Sequence, residues 1–287
     1  FFFARMMKGA WILFLLFACS SYAQETIEEP KHDIVKHHSL ISPYISEWWQ
    51  GGIEHWDFGG SAVVTDKFIR LTPDTRSKVG WLWNDEANYL SQWEANLTFT
   101  ILGKDNKGAD GFALWYVEEP LKHNKTQEAR PTLWGNRADF KGIGIIFDTH
   151  DNDGRKDNPM VTVIQGKGSP DAKWDFANDL RPQAKFRCVV PFRNTAKGTM
   201  TKVRLLYHSG ALQVFINTPN MGKYELKCGN VKVDLPTGYY FGFTASTGGM
   251  TDSHNVHTFL VTAAPEIIEK EDEKVHEKRK LTTFRIG

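Results

Sequence analysis

Cysteine is scarce, with three in 287 residues, which excludes a small scaffold built on disulfides and leaves the fold to stand on a packed core. A surplus of either charge is also missing. The formal charge is +1, and removing residues 1–23, which carry Arg5 and Lys8 and no acid, takes it to −1, so there is no basic footprint for a phosphate backbone and nucleic acid is not an expected partner. No stretch reaches the ~18 apolar residues that a membrane-spanning helix requires. Between residues 38 and 264 almost nothing repeats at helical spacing, which argues against a helical domain. No strand places alternate acids on one face. Glu118 and Glu119 are adjacent and would diverge, so the facing carboxylates of a sugar-cleaving jelly roll, about 5 to 9.5 Å apart, find little support.

What is present is β-structure and a targeting segment. Residues 1–5 precede the first Met and read as upstream sequence. Arg5 and Lys8, an apolar run from Gly9 to Cys19 and small residues at Ser21 and Ala23 then make a secretory signal peptide ending at residue 23. The run would reach roughly 16 Å as a helix, about half of a hydrocarbon core. The remainder of the given chain is therefore expected in the secretory lumen or outside the cell. In that oxidising space the even pair Cys188 and Cys228 is expected to form a disulfide worth roughly 3 to 4 kcal/mol by chain entropy, the alternative being two buried thiols. Asn96-Leu97-Thr98 and Asn124-Lys125-Thr126 are candidate glycosylation sequons.

After a short linker at 24–37, residues 38–264 read as one all-β domain, a two-sheet antiparallel β-sandwich or jelly roll. Trp93, Ala95, Leu97, Phe99 and Ile101 alternate with polar residues, giving a strand with one buried face and Asn96 on the wet one. Phe112 to Val117, Ile143 to Phe147 and Met160 to Ile164 are solid apolar runs, expected between the two sheets. Val203, Leu205 and Tyr207 answer Leu212, Val214 and Ile216 across His208-Ser209-Gly210-Ala211 as a hairpin. Trp48, Trp49, Trp56 and Trp115 read as packing residues. From Glu266 to Lys280 eleven of fifteen residues are charged, a solvated helical stalk or a flexible tail occupying 265–287.

The chemistry concentrates in Asp148-Thr149-His150-Asp151-Asn152-Asp153-Gly154, where a buried run ends. Hard oxygen donors at Asp148 and Asn152 with carbonyls between them suit Ca²⁺; an Asp/Asn-rich turn without metal is the competing reading. An EF-hand fails, because its register would need an acid or Asn where Thr149 stands and a Glu where Met160 stands. Asp110 opens another apolar strand, where an unpaired carboxylate is costly, and Ser246-Thr247-Gly248-Gly249-Met250 offers backbone amides beyond a third. Carboxylate, amide and backbone groups together suit sugar hydroxyls.

At these residues the sequence resembles the L-type lectins, the legume-lectin-like family that includes cargo receptors of the early secretory pathway. The resemblance runs from about His38 to Ala264. It is carried by His38-Ser39-Leu40, Trp56-Asp57-Phe58-Gly59-Gly60-Ser61, Arg70-Leu71-Thr72-Pro73-Asp74, the Asp110 strand, Phe147-Asp148-Thr149 through Asp153, and Gly238-Tyr239-Tyr240-Phe241-Gly242. It implies a concave-faced sandwich, not an enzyme, that binds high-mannose N-glycans of cargo glycoproteins in the ER, intermediate compartment or Golgi with Ca²⁺ as cofactor. Ser77, Asp110 and Asn152 would contact mannose by side chain, and Gly248, Gly249 and Met250 largely by backbone. Asp148, the His150 carbonyl, Asn152 and Asp179 would be metal ligands, with Asp151 and Asp153 solvating the loop or holding a second ion. Cys188 and Cys228 match the family's disulfide. Membrane attachment would come through a C-terminal anchor not in the given chain, and self-association through the stalk. One position departs: where the family carries a sugar-contacting His, three residues before Asp179, this chain has Phe176. That leaves a lectin fold turned protein-interaction module as the alternative.

Overall fold

In the computed structural model of the chain, residues 33–45, 52–121, 132–222 and 225–264 are described. The signal peptide, Trp48 and Trp49, the Asn124 sequon and the charged tail expected at 265–287 lie outside them. In chain order the strands are β1 (Trp56–Gly60), β2 (Val63–Val64), β3 (Ile69–Thr72), β4 (Lys78–Asn84), β5 (Trp93–Leu102), β6 (Gly111–Val117), β7 (Thr132–Leu133) and β8 (Asn136–Arg137). They continue with β9 (Lys141–Asp148), β10 (Met160–Lys167), β11 (Ala184–Val189), β12 (Thr201–His208), β13 (Ala211–Asn217), β14 (Leu226–Lys232), β15 (Tyr240–Thr247) and β16 (Ser253–Ala263). A front sheet has the order β1-β4-β15-β6-β9-β10-β11 and a back sheet the order β14-β13-β12-β5-β16-β3-β2, with every pairing antiparallel.

The alternation in β5 does what it predicts. Trp93, Ala95, Leu97, Phe99 and Ile101 are buried, whereas Asn96 is half-buried on the outer face and donates to Glu94 at 2.8 Å. The expected hairpin forms in the expected register, with Val203 opposite Ile216, Leu205 opposite Val214 and Tyr207 opposite Leu212. Between the sheets a Phe cluster fills the space, Phe112 stacked on Phe147 at 4.7 Å with Phe99 against both. Cys188 of β11 and Cys228 of β14 are disulfide-bonded and join the edges of the two sheets. The stretch expected as a linker is already docked by Val35, whose N–H donates to the Val261 carbonyl at 2.8 Å.

The solid apolar runs have a fuller explanation than burial between sheets. Phe112, Leu114 and Tyr116 of β6 face the inter-sheet core, and Ala113, Trp115 and Val117 face a second cluster with Ile146, Leu133, Trp134, Phe140 and Leu180. Segments around 133–140 and 174–180 thus form a third layer over the front sheet, so its central strands are apolar on both faces and cannot alternate. On this outer face Trp83 lies against Gly242 of the neighbouring strand, and Trp115 against Gly144. A Cβ on Gly242 would come within 1.9 Å of Trp83 Cε3, so glycine is required there by the indole rather than by the backbone. Gly242→Ala is expected to destabilise the fold by about 1 to 3 kcal/mol through overpacking, read as a lower urea midpoint at unchanged slope.

Candidate functional site

Antiparallel register brings distant segments to one end of the front sheet. Gly111, which opens β6, pairs with Asp148, the last residue of β9, and with Ser246 near the end of β15. Asp148 also pairs with Met160 at the start of β10, and Thr247 with Lys78 at the start of β4. The loops leaving these ends carry Asp110, residues 149–159, the Gly248 segment and Ser77. They border a cleft of about 460 Å³ lined by Asp110, Asp148, His150, Asn152, Val79, Trp134, Phe176, Ser246 and Thr247.

Hydrogen bonds hold the cleft from several sides. The Ser246 hydroxyl donates to Asp110 Oδ2 at 3.2 Å, and the Asp110 carbonyl accepts from the Trp134 indole at 2.9 Å. Gly248 lies beside the same carboxylate, since a Cβ there would stand 3.3 Å from Asp110 Oδ1. Ser77 is exposed and its N–H donates to the Gly248 carbonyl at 3.3 Å, which sets Ser77 at the rim. Gly249 is exposed and Met250 half-buried.

On the other side Asp148 is buried and accepts the His150 N–H at 2.9 Å, while buried Asp179 accepts the Asn152 N–H at 3.1 Å and the Asp153 N–H at 3.4 Å. The His150 carbonyl accepts from the Asn158 amide at 2.7 Å, leaving it one lone pair. Burial pushes the Asp148 carboxyl well above the usual carboxylate range, and Asp179 and Asp110 push it the same way against the His150 N–H and Arg187. Burial likewise raises Asp110, opposed by Ser246 and His150, and raises Asp179, opposed by the N–H groups of Asn152 and Asp153. Asp153 and Asp157 are paired instead with Arg181, at 3.3 and 3.0 Å. Asp151, Asp153, Asp157 and Asp179 nevertheless place carboxylate oxygens within 4.8 Å of one another.

The model of the legume-like lectin family matches residues 31–271. The chain belongs to this family. The human vesicular integral-membrane protein VIP36 is 33% identical over 248 residues, covering 85% of this chain and 66% of VIP36. Mouse ERGIC-53 is 34% identical over 236 residues, covering 77% of this chain and 43% of ERGIC-53. The chain thus spans just under two thirds of the one relative and less than half of the other. Among solved structures, the VIP36 exoplasmic/lumenal domain in its Ca²⁺/Man3GlcNAc-bound form matches with a TM-score of 0.70 at 31% identity, over 83% of this chain and 95% of that one. The legume lectin-like domain from Entamoeba histolytica, at 22% identity and a TM-score of 0.62, shares the fold.

Within this legume-like lectin domain, Asp110, Asp148, His150 and Asn152 line one cleft, with Gly248 and Ser77 beside it, while Asp179 does not line it and accepts from the Asn152 N–H. Trp134, Val79 and Asp252 were not foreseen. Trp134 lies 6.0 Å from Phe176, ring centre to ring centre, and with Val79 they make an apolar wall. Asp252 lies fully buried behind the cleft, paired with Arg193 at 2.8 Å. The signal for Asp252 was an acid in the polar run Thr251 to Asn255 just where a strand begins; for Trp134 there was none, since its loop has no period.

Proposed function

We propose that the chain is a Ca²⁺-dependent lectin that binds high-mannose N-glycans on glycoproteins of the early secretory pathway and takes part in their sorting between ER and Golgi. The observation that carries this reading is the gathering of Asp110, Asp148 and Asp179 at one end of the front sheet, where burial raises all three carboxyls and repulsion from Asp179 and Asp110 adds to it at Asp148. Asp148, Asp179, the Asn152 side chain and the His150 carbonyl make an all-oxygen donor set that fits Ca²⁺. Bound there, Ca²⁺ would neutralise the buried carboxylates and fix the Asn152 amide. Ser77, Asp110 and Asn152 would then meet mannose hydroxyls, with Gly248, Gly249 and Met250 presenting backbone. VIP36 structures in Ca²⁺-bound, Ca²⁺/Man-bound, Ca²⁺/Man2-bound and Ca²⁺/Man3GlcNAc-bound forms support the reading of this chain as a lectin for Ca²⁺ and mannose. Residence in the secretory lumen, membrane attachment and self-association through the charged tail belong to this proposal; among the described residues no helix is long and apolar enough to cross a membrane.

The wall of Val79, Trp134 and Phe176 favours a second reading, a lectin fold that serves as an interaction module without sugar. Calorimetric titration of the chain with an oligomannose, once with Ca²⁺ and once with EDTA, separates the two. The lectin reading expects heat only with Ca²⁺, and a gain of about 2- to 10-fold in affinity for Phe176→His, the worth of one added hydrogen bond. Silence in the parent chain and binding in Phe176→His would select the module.

A further inference from the structure

We propose that Asp252, held by Arg193, is the positioning residue of the cleft, one buried carboxylate tying together the loops that carry Asp110, Asp148 and the Gly248 segment. Arg193 Nε donates to both Asp252 oxygens, at 2.9 and 3.0 Å, and Nη2 reaches back to the Asp105 carbonyl at 2.7 Å. The Thr149 hydroxyl donates to Asp252 Oδ2 at 2.9 Å, and the Ala109 N–H bonds the same carboxylate. Thr149 stands between Asp148 and His150, and Ala109 directly precedes Asp110, so both sides of the cleft take their placement from one group. The loop before Asp110 is shaped around the pair: a Cβ on Gly103 would come within 1.9 Å of Asp252 Oδ1, and one on Gly108 within 2.5 Å of Oδ2.

A buried ion pair is a weak source of net stability, because desolvation offsets the attraction. What this pair supplies is a set of fixed acceptors for two loops that, beyond the Gly111–Asp148 pair, share one backbone hydrogen bond, from the Thr149 N–H to the Asp110 carbonyl at 3.3 Å, and a binding constellation tolerates only about 0.5 Å of drift. The inference rests on the lectin reading given above.

Thr149→Val removes one leg while leaving the Asp252–Arg193 pair intact, and Thr149→Ser restores the hydroxyl. In calorimetry on the full chain, Thr149→Val is expected to weaken Ca²⁺ binding about tenfold, the loss of a hydrogen bond to a charged group, with Thr149→Ser within about twofold of the parent. Asp252→Asn is expected to weaken both Ca²⁺ binding and, at saturating Ca²⁺, oligomannose binding by about tenfold or more. Leu205→Ala, in the inter-sheet core, should lower Tm and leave both affinities unchanged, which separates positioning from general loosening. Parent-like affinity in folded Thr149→Val, or weakening of the same size in Leu205→Ala, overturns the inference while the lectin reading stands. A parent chain that binds neither Ca²⁺ nor oligomannose overturns the lectin reading itself.

Discussion

Asp148→Asn is expected to make the metal-free chain more stable at neutral pH, by about 1 to 3 kcal/mol, and to abolish Ca²⁺ binding. The sign follows from the direction of the shift. Burial, with Asp179 and Asp110 nearby, holds the Asp148 carboxyl above its usual range, so the folded chain binds that proton more tightly than the unfolded chain does. The ionised form therefore destabilises the fold at every pH above the raised value, and the penalty fades as pH falls from there toward the unfolded carboxylate range of about 3.9. Asparagine keeps the shape and the bond from the His150 N–H but carries no charge. Urea melts in EDTA at pH 7.5 should favour the variant, with the difference shrinking toward pH 4. With Ca²⁺ at about 100 times its Kd the parent chain gains about 2.7 kcal/mol and the variant nothing, so the order reverses. A variant less stable than its parent in EDTA would show that this carboxylate is under no strain a cation could relieve.

The same residues show how far the sequence is legible. A half-wet strand such as β5 announces itself, because one face must alternate with the other, and the β12–β13 hairpin is local enough for its turn to set the register. The doubly buried β6 and β9 reveal burial but not what covers them, since the covering segments near Trp134, Phe140 and Leu180 have no period. The cleft is harder still. Asp110, Asp148 and Gly248 are neighbours only through pairings between strands far apart in the chain, and spacing cannot supply those; the resemblance to a family did. Asp252 escaped for another reason: it holds Thr149 and Arg193 from behind and does not line the cleft itself, so no motif of ligand-facing residues includes it.

Asp110→Asn is the expected counterpart to Asp148→Asn, removing sugar while sparing the cation. The Asp110 main chain is held independently of its charge: the N–H donates to the Ser246 carbonyl at 3.2 Å, and the carbonyl takes the Trp134 indole at 2.9 Å and the Thr149 N–H at 3.3 Å. The side chain keeps its bond from Ser246 through one oxygen, and the other faces the space that Gly248 leaves open. Asparagine would fill the same volume but exchange a charged acceptor for a neutral donor at one position. A hydrogen bond to a charged group is worth about 1.5 to 3 kcal/mol, so oligomannose affinity at saturating Ca²⁺ should fall about 10- to 150-fold. Ca²⁺ affinity should fall only a few-fold, because in the proposed site Asp110 would contribute field and not a ligand atom. Stability should rise, since the carboxyl that burial strains is gone. Calorimetry with Ca²⁺ alone and then with oligomannose reads the two constants separately. Equal losses in both would make Asp110 a cation ligand, and an unchanged sugar constant would move the glycan off this carboxylate, toward the wall of Trp134 and Phe176.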